Sequence, residues 1–488
     1  MSITTQKKEI VHYFLKKNVF LSPDLISRLD KEESVKKAYS LMQHNTLTEE
    51  TLSQIFHQTR QPISQKQPQD QGKVKIKINH VDEPRKRTLS DFISIFKSRY
   101  THLSRILQDR QELSGPTSIL RVKSNKERET VAVIGLVLDK TMTKNGNIML
   151  TIEDPTGTLK VLVSKNKPDM IEEAKDIVFD EVIGVVGTSG DNILFANSLY
   201  HPDIPLTKEL KKGPVEEYAV FISDIHVGSN DFLQKEFEKF LSWISGNTGT
   251  DEQKHTAKKV KYLFIIGDLV DGVGIYPGQE EELTQKDIAE QYQEFARYLS
   301  LVPKHIRIII CPGNHDAMRL AEPQLAVYPD IAKELYNLPN VIMVSNPSLI
   351  NIGSTATFEG FDVLMYHGYS FDYYASNVES IRNNGGYDRS DLIMKFMLQR
   401  RHLAPTHTST LYIPQEEDHL IIRDIPDFFV TGHIHKSCVA NYRNITMLSG
   451  SCFQDTTAFQ VKVGHHPEPG RVPVINLQTR KVKMMRFT

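Results

Sequence analysis

Apolar positions change period along this chain, and each change predicts a different kind of structure. From Thr88 to about Pro116, in LSDFISIFKSRYTHLSRIL, they fall three and four residues apart, which predicts one amphipathic helix. Between Lys123 and His201 the period becomes that of strands. The runs are VAVIGLVL (131–138), NIMLTIED (147–154), LKVLV (159–163), EVIGVVG (181–187) and NILFANSLY (192–200). Lys144-Asn145-Gly146 and Asp154-Pro155-Thr156-Gly157 supply hairpin turns between them. From Tyr218 onward, continuous apolar runs alternate with helical segments at 232–245, 284–301, 322–336 and 388–401. That pattern predicts a layered α/β domain with a largely buried sheet. The tail, GRVPVINLQTRKVKMMRF, reads as a closing hairpin turning at Leu477-Gln478-Thr479-Arg480.

The N-terminal part is less regular. Residues 1–57 read as a small helical module: Ile10, Val11, Phe14 and Leu15 share a helical face, Ser22-Pro23 starts a second helix, and Thr48 with Glu49 and Glu50 starts a third. Residues 58–87 are Gln/Pro-rich and then basic, with few apolar side chains, and read as a flexible linker. After the helix of 88–116, five strands with a helical stretch from Pro168 to Lys175 between the third and fourth match the plan of an OB-fold barrel over 117–205. No aromatic ladder lines its strands, so a structural wedge and a strand-binding surface are equally good readings of it. The α/β domain is expected over 214–488.

A chain of 488 residues exceeds one ordinary core, and roughly two to four domains are expected. The formal net charge is −1, so any nucleic-acid contact must come from a local patch. Residues 73–128 are such a patch, with 14 Lys/Arg against 6 Asp/Glu, a formal +8. A stripe of that sign attracts a polyanion, although the same charges would also solvate a helix and linker. Cys311, Cys438 and Cys452 are far apart and form no C-x-x-C pair, which argues against a disulfide framework and fits a reducing compartment. The first residues lack a signal-peptide core, and no apolar run reaches the ~18 residues needed to span a bilayer. The expectation is a soluble, cytoplasmic protein without a membrane partner.

Five short motifs each end a hydrophobic run. Asp224-Ile225-His226 follows AVFIS, and Gly267-Asp268-Leu269-Val270-Asp271 follows YLFII. Gly313-Asn314-His315-Asp316 follows IRIIICP, His367-Gly368 follows VLMY, and Gly432-His433-Ile434-His435 follows DFFVT. Ligand-type residues therefore sit where buried strands surface at their C-terminal ends, the usual place for a site on an open α/β sheet. Two divalent ions about 3.5–4 Å apart need one shared anionic ligand, and Asp268 is the candidate bridge. Asp224 and His226, two apart on an extended segment, can reach one ion together. Asn314, His367, His433 and His435 supply the remaining amide and imidazole donors. With nitrogen and oxygen donors and no thiolate, the expected metal is Mn²⁺, with Fe²⁺, Zn²⁺ or Mg²⁺ as alternatives. His315 should face substrate, where it can stabilise phosphorane charge or protonate the leaving oxygen. Asp316 is expected to orient His315, and Asp271 to support a ligand from behind. His402, His407, His465 and His466 follow no such run and read as ordinary core or surface residues.

These motifs resemble the calcineurin-like metallophosphoesterase superfamily, which includes double-strand-break repair nucleases. The likeness extends to Gly272-Val273-Gly274-Ile275-Tyr276-Pro277-Gly278-Gln279, to Glu322-Pro323-Gln324 and to Ile425-Pro426-Asp427. With the order of parts, it is most similar to the small-subunit family of archaeal family-D DNA polymerases. The resemblance implies a 3′–5′ exonuclease that proofreads for a large catalytic polymerase subunit. Its substrate would be DNA with single-stranded or frayed 3′ ends, and its further partners a sliding clamp or other replisome proteins. It also implies that Asp224, His226, Asp268 and His435 hold one ion, and Asp268, Asn314, His367 and His433 the other. The competing readings are a non-catalytic scaffold subunit and a phosphatase of the same superfamily. The intact ligand set argues against the first, and the barrel and basic segment against the second.

Overall fold

The computed structural model describes residues 74–82, 85–125 and 127–488, together with 9, 10, 13, 38–40 and 42. Met1–Gln69 forms a unit of its own. Its described residues are helical, with Ile10 and Ala38 buried and the Tyr39 hydroxyl donating to the Glu9 carboxylate at 2.8 Å. The helix starts expected at Ser22-Pro23 and Thr48 lie outside the described residues, as do residues 58–73 of the expected linker.

The linker reading fails from residue 74 onward. Val74–Ile78 form a strand, β1, paired antiparallel with Ser348–Ile352 at the edge of a six-stranded sheet. VKIKI alternates strictly, so Val74, Ile76 and Ile78 turn toward the core while Lys75 and Lys77 point outward. Outward lysines are a common protection of an edge strand. Lys77 pairs with Asp362 at 2.9 Å, and Asn79 and His80 bracket Ser345 with hydrogen bonds of 2.7 and 2.8 Å.

Helix α1 (Leu89–Gln108) starts at a capping box in which Thr88 and Asp91 satisfy each other's backbone N–H groups. After α2 (Ile119–Ser124) come β2 (Thr130–Met142), β3 (Ile148–Asp154), β4 (Gly157–Val163), α3 (Pro168–Lys175), β5 (Val182–Ser189) and β6 (Ile193–Tyr200). The strands close into a five-stranded barrel in the order β2-β3-β4-β6-β5, as the OB-fold reading requires. Its interior holds Val133, Val137, Leu150, Ile152, Val161, Ile183 and Val185. Leu103 and Leu107 of α1 pack on the barrel residues Ile134, Leu136 and Val182 and on Ile421 of the larger domain.

That domain stacks two sheets between outer layers of helices. The first contains β7 (Tyr218–Ile222), β8 (Val260–Ile266), β9 (Arg307–Cys311) and β10 (Val341–Met343), all parallel, with β16 (Arg471–Asn476) and β17 (Val482–Arg486) closing it antiparallel. The second is β1, β11 (Ser348–Ile352), β12 (Phe361–Met365), β13 (Phe428–Thr431), β15 (Ile445–Ser449) and β14 (Cys438–Tyr442) in that order. The inner layer packs Phe221, Phe264, Ile266 and Ile309 of one sheet against Val363, Met365, Phe428 and Val430 of the other. Helices α4 (Gln234–Ile244), α5 (Asp251–Lys258) and α6 (Ile288–Leu299) cover the outer face of the first sheet. Helices α7 (Lys333–Asn337), α8 (Phe371–Asn377), α9 (Glu379–Asn383) and α10 (Ser390–Arg400) follow, the last three on the second sheet. Central strands buried on both faces read as unbroken apolar runs, which is why their sequences show no alternation.

The helix expected over 322–336 is helical only over Lys333–Asn337. Its first residues run irregularly, because Gln324 pairs with Asn346 and its side chain donates to the Gly313 carbonyl at 2.9 Å, beneath the Asn314 turn. Among the described residues no helix is long and apolar enough to cross a membrane.

The basic stretch 73–128 uses several of its cations internally: Lys77 on Asp362, Arg85 on Asp91, Arg87 on Asp82 and Arg99 on Asp418. The last pair is buried, each side chain 3% exposed, with Nε to Oδ2 at 2.7 Å. Arg99 also donates to the carbonyls of Asp180 in the barrel domain and Pro405 in the α/β domain. Burial alone would raise the Asp418 carboxyl, but Arg99 and His402 outweigh it and hold it far below the ordinary carboxylate range. A depressed acid stabilises the fold above its unfolded pKa, about 3.9, and that contribution disappears as pH falls toward the folded value. We expect Arg99→Ala to cost about 3–5 kcal/mol in urea unfolding at neutral pH, the scale of a buried charge left unpaired. The stability gap between wild type and Asp418→Asn should narrow as pH falls below about 4. A gap independent of pH would show that this pair does not hold the domains together.

Candidate metal centre

All five motifs emerge at the C-terminal ends of parallel strands: Asp224 and His226 after β7, Asp268 after β8, Asn314 and His315 after β9, His367 after β12, and His433 and His435 after β13. The first three strands belong to one sheet and the last two to the other, so the site is built across the inner layer. Asp224, His226, Asp268, His433 and His435 have φ between 50° and 74°. Non-glycine residues seldom adopt that left-handed region, and such strain gathers at functional sites. Two glycines permit the close approach. A Cβ on Gly267 would lie 2.4 Å from His367 Nδ1, and one on Gly313 would lie 2.3 Å from Asp268 Oδ1.

The donor atoms of the expected ligands fall into two groups, and a third cluster of His226, Asp271 and His315 adjoins them. Asp224, His226 and His435 bring one ligand atom each within 4.8 Å of the others, and so do Asp268, His367 and His433. In the first group His226 Nε2 faces His435 Nε2 at 3.1 Å, and His435 Nε2 lies 3.5 Å from Asp224 Oδ1. In the second, Asn314 Oδ1 lies 3.0 Å from both His367 Nε2 and His433 Nδ1, and Asp268 Oδ2 is 3.3 Å from His367 Nε2. The same Asp268 oxygen is 3.8 Å from His226 Nε2, so it stands between the groups. Two facing imidazole nitrogens and an amide oxygen aimed at two more are a donor set that a cation would satisfy. The residues fit two divalent ions.

Electrostatics agree with this. Burial, reinforced by Asp268, pushes Asp224 up to about 6. Burial disfavours charge on His367, yet Asp268 and Asp224 outweigh it and raise that imidazole to about 10.

Supporting residues fix the imidazoles. His226 Nδ1 is 3.0 Å from Asp271 Oδ1, which leaves Nε2 for a metal. Asp271 is held in turn by Gln279 at 2.8 Å and Gln454 at 3.1 Å. His367 Nδ1 is 2.9 Å from the Ile266 carbonyl, and His433 Nε2 is 3.1 Å from Asp372 Oδ2. Asp372 and Gln454 follow no apolar strand run, and sequence pattern did not single them out. His465, read from sequence as an ordinary residue, lines the same cleft, which is about 360 Å³ in volume.

His315 packs edge-on against the His226 ring, centroids 4.7 Å apart, and brings a ring nitrogen within 4.8 Å of donor atoms of His226 and Asp271. Its backbone N–H donates to Asp268 Oδ1 at 2.8 Å, and its Nδ1 is 2.8 Å from the Asp271 carbonyl. Asp316, expected to orient His315, is engaged elsewhere. Its carboxylate accepts from Gly313 N at 2.8 Å, Leu269 N at 3.3 Å and the Tyr292 hydroxyl at 2.9 Å. It ties the second motif to the third, and burial together with Asp268 pushes it up to about 7.

A family model of calcineurin-like phosphoesterases matches residues 219–437. The DNA polymerase II small subunit of Methanothermobacter thermautotrophicus is 40% identical over 395 residues, covering 81% of this chain and 79% of its own length. The chain belongs to the DNA polymerase II small-subunit family. Other members similar to it are those of Archaeoglobus fulgidus, 39% identical over 79% of this chain and 75% of that one, and of Pyrococcus furiosus, 40% identical over 81% and 64%. The chain thus spans under two thirds of the length of some relatives, while the metal-site motifs lie within the matched phosphoesterase segment.

In this small-subunit family member, Asp271→Ala should weaken Mn²⁺ binding roughly 10–100-fold, the usual effect of losing the partner of a metal-binding histidine. Isothermal titration with Mn²⁺ measures it. Unchanged affinity would mean that His226 needs no orientation from Asp271.

Proposed function

We propose that this chain is the 3′–5′ exonuclease subunit of a DNA polymerase, hydrolysing DNA phosphodiesters with two divalent ions, Mn²⁺ foremost. It would work bound to the large catalytic subunit, on single-stranded or frayed 3′ ends. The observation that carries the reading is the complete two-group donor set around Asp268, with no ligand position lost. A pure scaffold has no need of four left-handed ligand residues converging on a buried, equally left-handed carboxylate.

Bound divalent ions would neutralise the phosphate and supply an activated water. The remaining steps belong to the chain. Asp224, His226 and His435 would hold one ion, Asn314, His367 and His433 the other, and Asp268 would link them. A carbonyl can only accept, so the contact of His315 Nδ1 with Asp271 O puts a proton on Nδ1. His315 Nε2 is then left to the cleft that the ring lines; with Nε2 also protonated, the imidazolium can pass that proton to the leaving oxygen or stabilise charge on phosphorus.

Labelled single-stranded DNA of each polarity, with Mn²⁺ and then with chelator, tests the reading directly. Shortening from the 3′ end that stops with chelator is the expected result. Asp268→Asn should abolish nuclease activity by orders of magnitude, because an amide carries no charge to hold two cations together. Near-normal turnover of that variant in Mn²⁺ would remove the two-metal mechanism. His315→Ala should keep its metal content and lose about 10²–10⁴-fold in turnover, the scale of a positioned acid or base. Loss of metal by His315→Ala would make His315 a ligand instead.

A further inference from the structure

Beside the metal cleft lies a second, larger depression of about 650 Å³, open to solvent, that shares Tyr369 and Asp372 with it. Its walls carry Tyr369, Tyr373, His407, Leu411 and Tyr412 and no lysine or arginine. Tyr369 and Tyr373 come from the loop after β12 and from α8, and the others from segment 407–412. The Tyr369 ring centroid is 5.8 Å from that of the candidate ligand His433, so the aromatic wall begins at the metal site itself. At the far end Tyr412 meets His407 at 5.1 Å and Phe92 of α1 at 6.3 Å. Leu411 is 57% and Phe92 38% exposed, a costly surface to leave bare beside a polar cleft.

We propose that this trough is a stacking subsite for unpaired bases of a single-stranded nucleic acid whose scissile phosphodiester lies in the metal cleft. The proposal rests on the phosphodiesterase reading and adds to it the place where the strand beyond the reacting phosphate is held. Three observations choose the occupant. The trough is continuous with the cleft through Tyr369. It runs from Tyr369 at the cleft to Tyr412, which meets Phe92 of α1, and so extends the site past the reacting phosphate. Its lining sets three tyrosines and a histidine beside Thr408, Ser409 and Thr410, without lysine or arginine, which suits π-faces of bases and not a phosphate track; aromatic stacking tolerates any base sequence. Asp372, the one carboxylate in the wall, is already paired with His433.

The test uses the full chain with Mn²⁺ and two substrates, bis(p-nitrophenyl) phosphate and a single-stranded oligodeoxyadenylate. Tyr373→Ala should raise KM for the oligonucleotide roughly 5- to 100-fold, the effect of one lost base–aromatic stack. It should leave kcat/KM for the small diester unchanged. Tyr373→Phe should retain the wild-type KM, which separates stacking from folding. Moving a single abasic residue along the oligonucleotide should reproduce the KM increase at one position, and there Tyr373→Ala should add no further loss. Equal losses on both substrates, or no loss on the oligonucleotide, would overturn the proposal. So would Tyr373→Ala that keeps the oligonucleotide KM but releases the large polymerase subunit, since the trough would then be a protein interface. If wild type cleaves neither substrate, the phosphodiesterase reading fails first.

Discussion

A single buried carboxylate organises the site. Asp268, 2% exposed, lies where the C-terminal ends of two sheets come together, and a charge there cannot remain unpaired. Its Oδ1 accepts from the His315 backbone, and its Oδ2 faces His367 on one side and His226 on the other. The rest of the local design serves this placement. The left-handed φ of 50° at Asp268 turns the chain immediately after β8. Gly267 and Gly313 make room for His367 and for Asp268 itself, where any Cβ would collide. Asp316 then locks the two turns together from below through Leu269 and Gly313. Histidines from both sheets converge because they must answer the same negative charge.

What could be read from sequence follows the same physics. Strands buried on both faces are apolar throughout, so a sudden Asp or His at the end of such a run marks the point where the chain leaves the core. That signal found Asp224, His226, Asp268, Asn314, His367, His433 and His435, and the structure brings all of them together. The barrel was legible because its hairpin turns and period-two runs are local. Edge strand β1 was missed although VKIKI alternates cleanly, since its Gln/Pro-rich flank dominated the composition. Asp372 and Gln454 were invisible for a different reason. Asp372 reaches the site from the first turn of α8 and Gln454 from a loop, both placed by tertiary packing, and no periodicity announces them. The expected Asp316–His315 pair shows the reverse error, in which adjacency in sequence suggested a contact that strand geometry directs elsewhere.

Helix α1 connects the site to the rest of the molecule. Its Arg99 bridges the barrel domain and the α/β domain through Asp180, Pro405 and Asp418, and the same Asp418 anchors His402 at 2.9 Å. Segment 407–412 begins just after this anchored stretch. One α1 turn to the N-terminal side of Arg99, Phe96 meets His407 at 6.2 Å, and Phe92 meets Tyr412. Phe92, Phe96 and Arg99, spaced four and three residues apart, therefore lie on one face of α1, which carries both the buried ion pair and part of the aromatic wall. A shift of α1 along its axis would disturb both together, because a buried ion pair tolerates little displacement before its desolvation cost goes unanswered. The position of the barrel domain is thereby tied to the shape of the trough leading from the metal cleft.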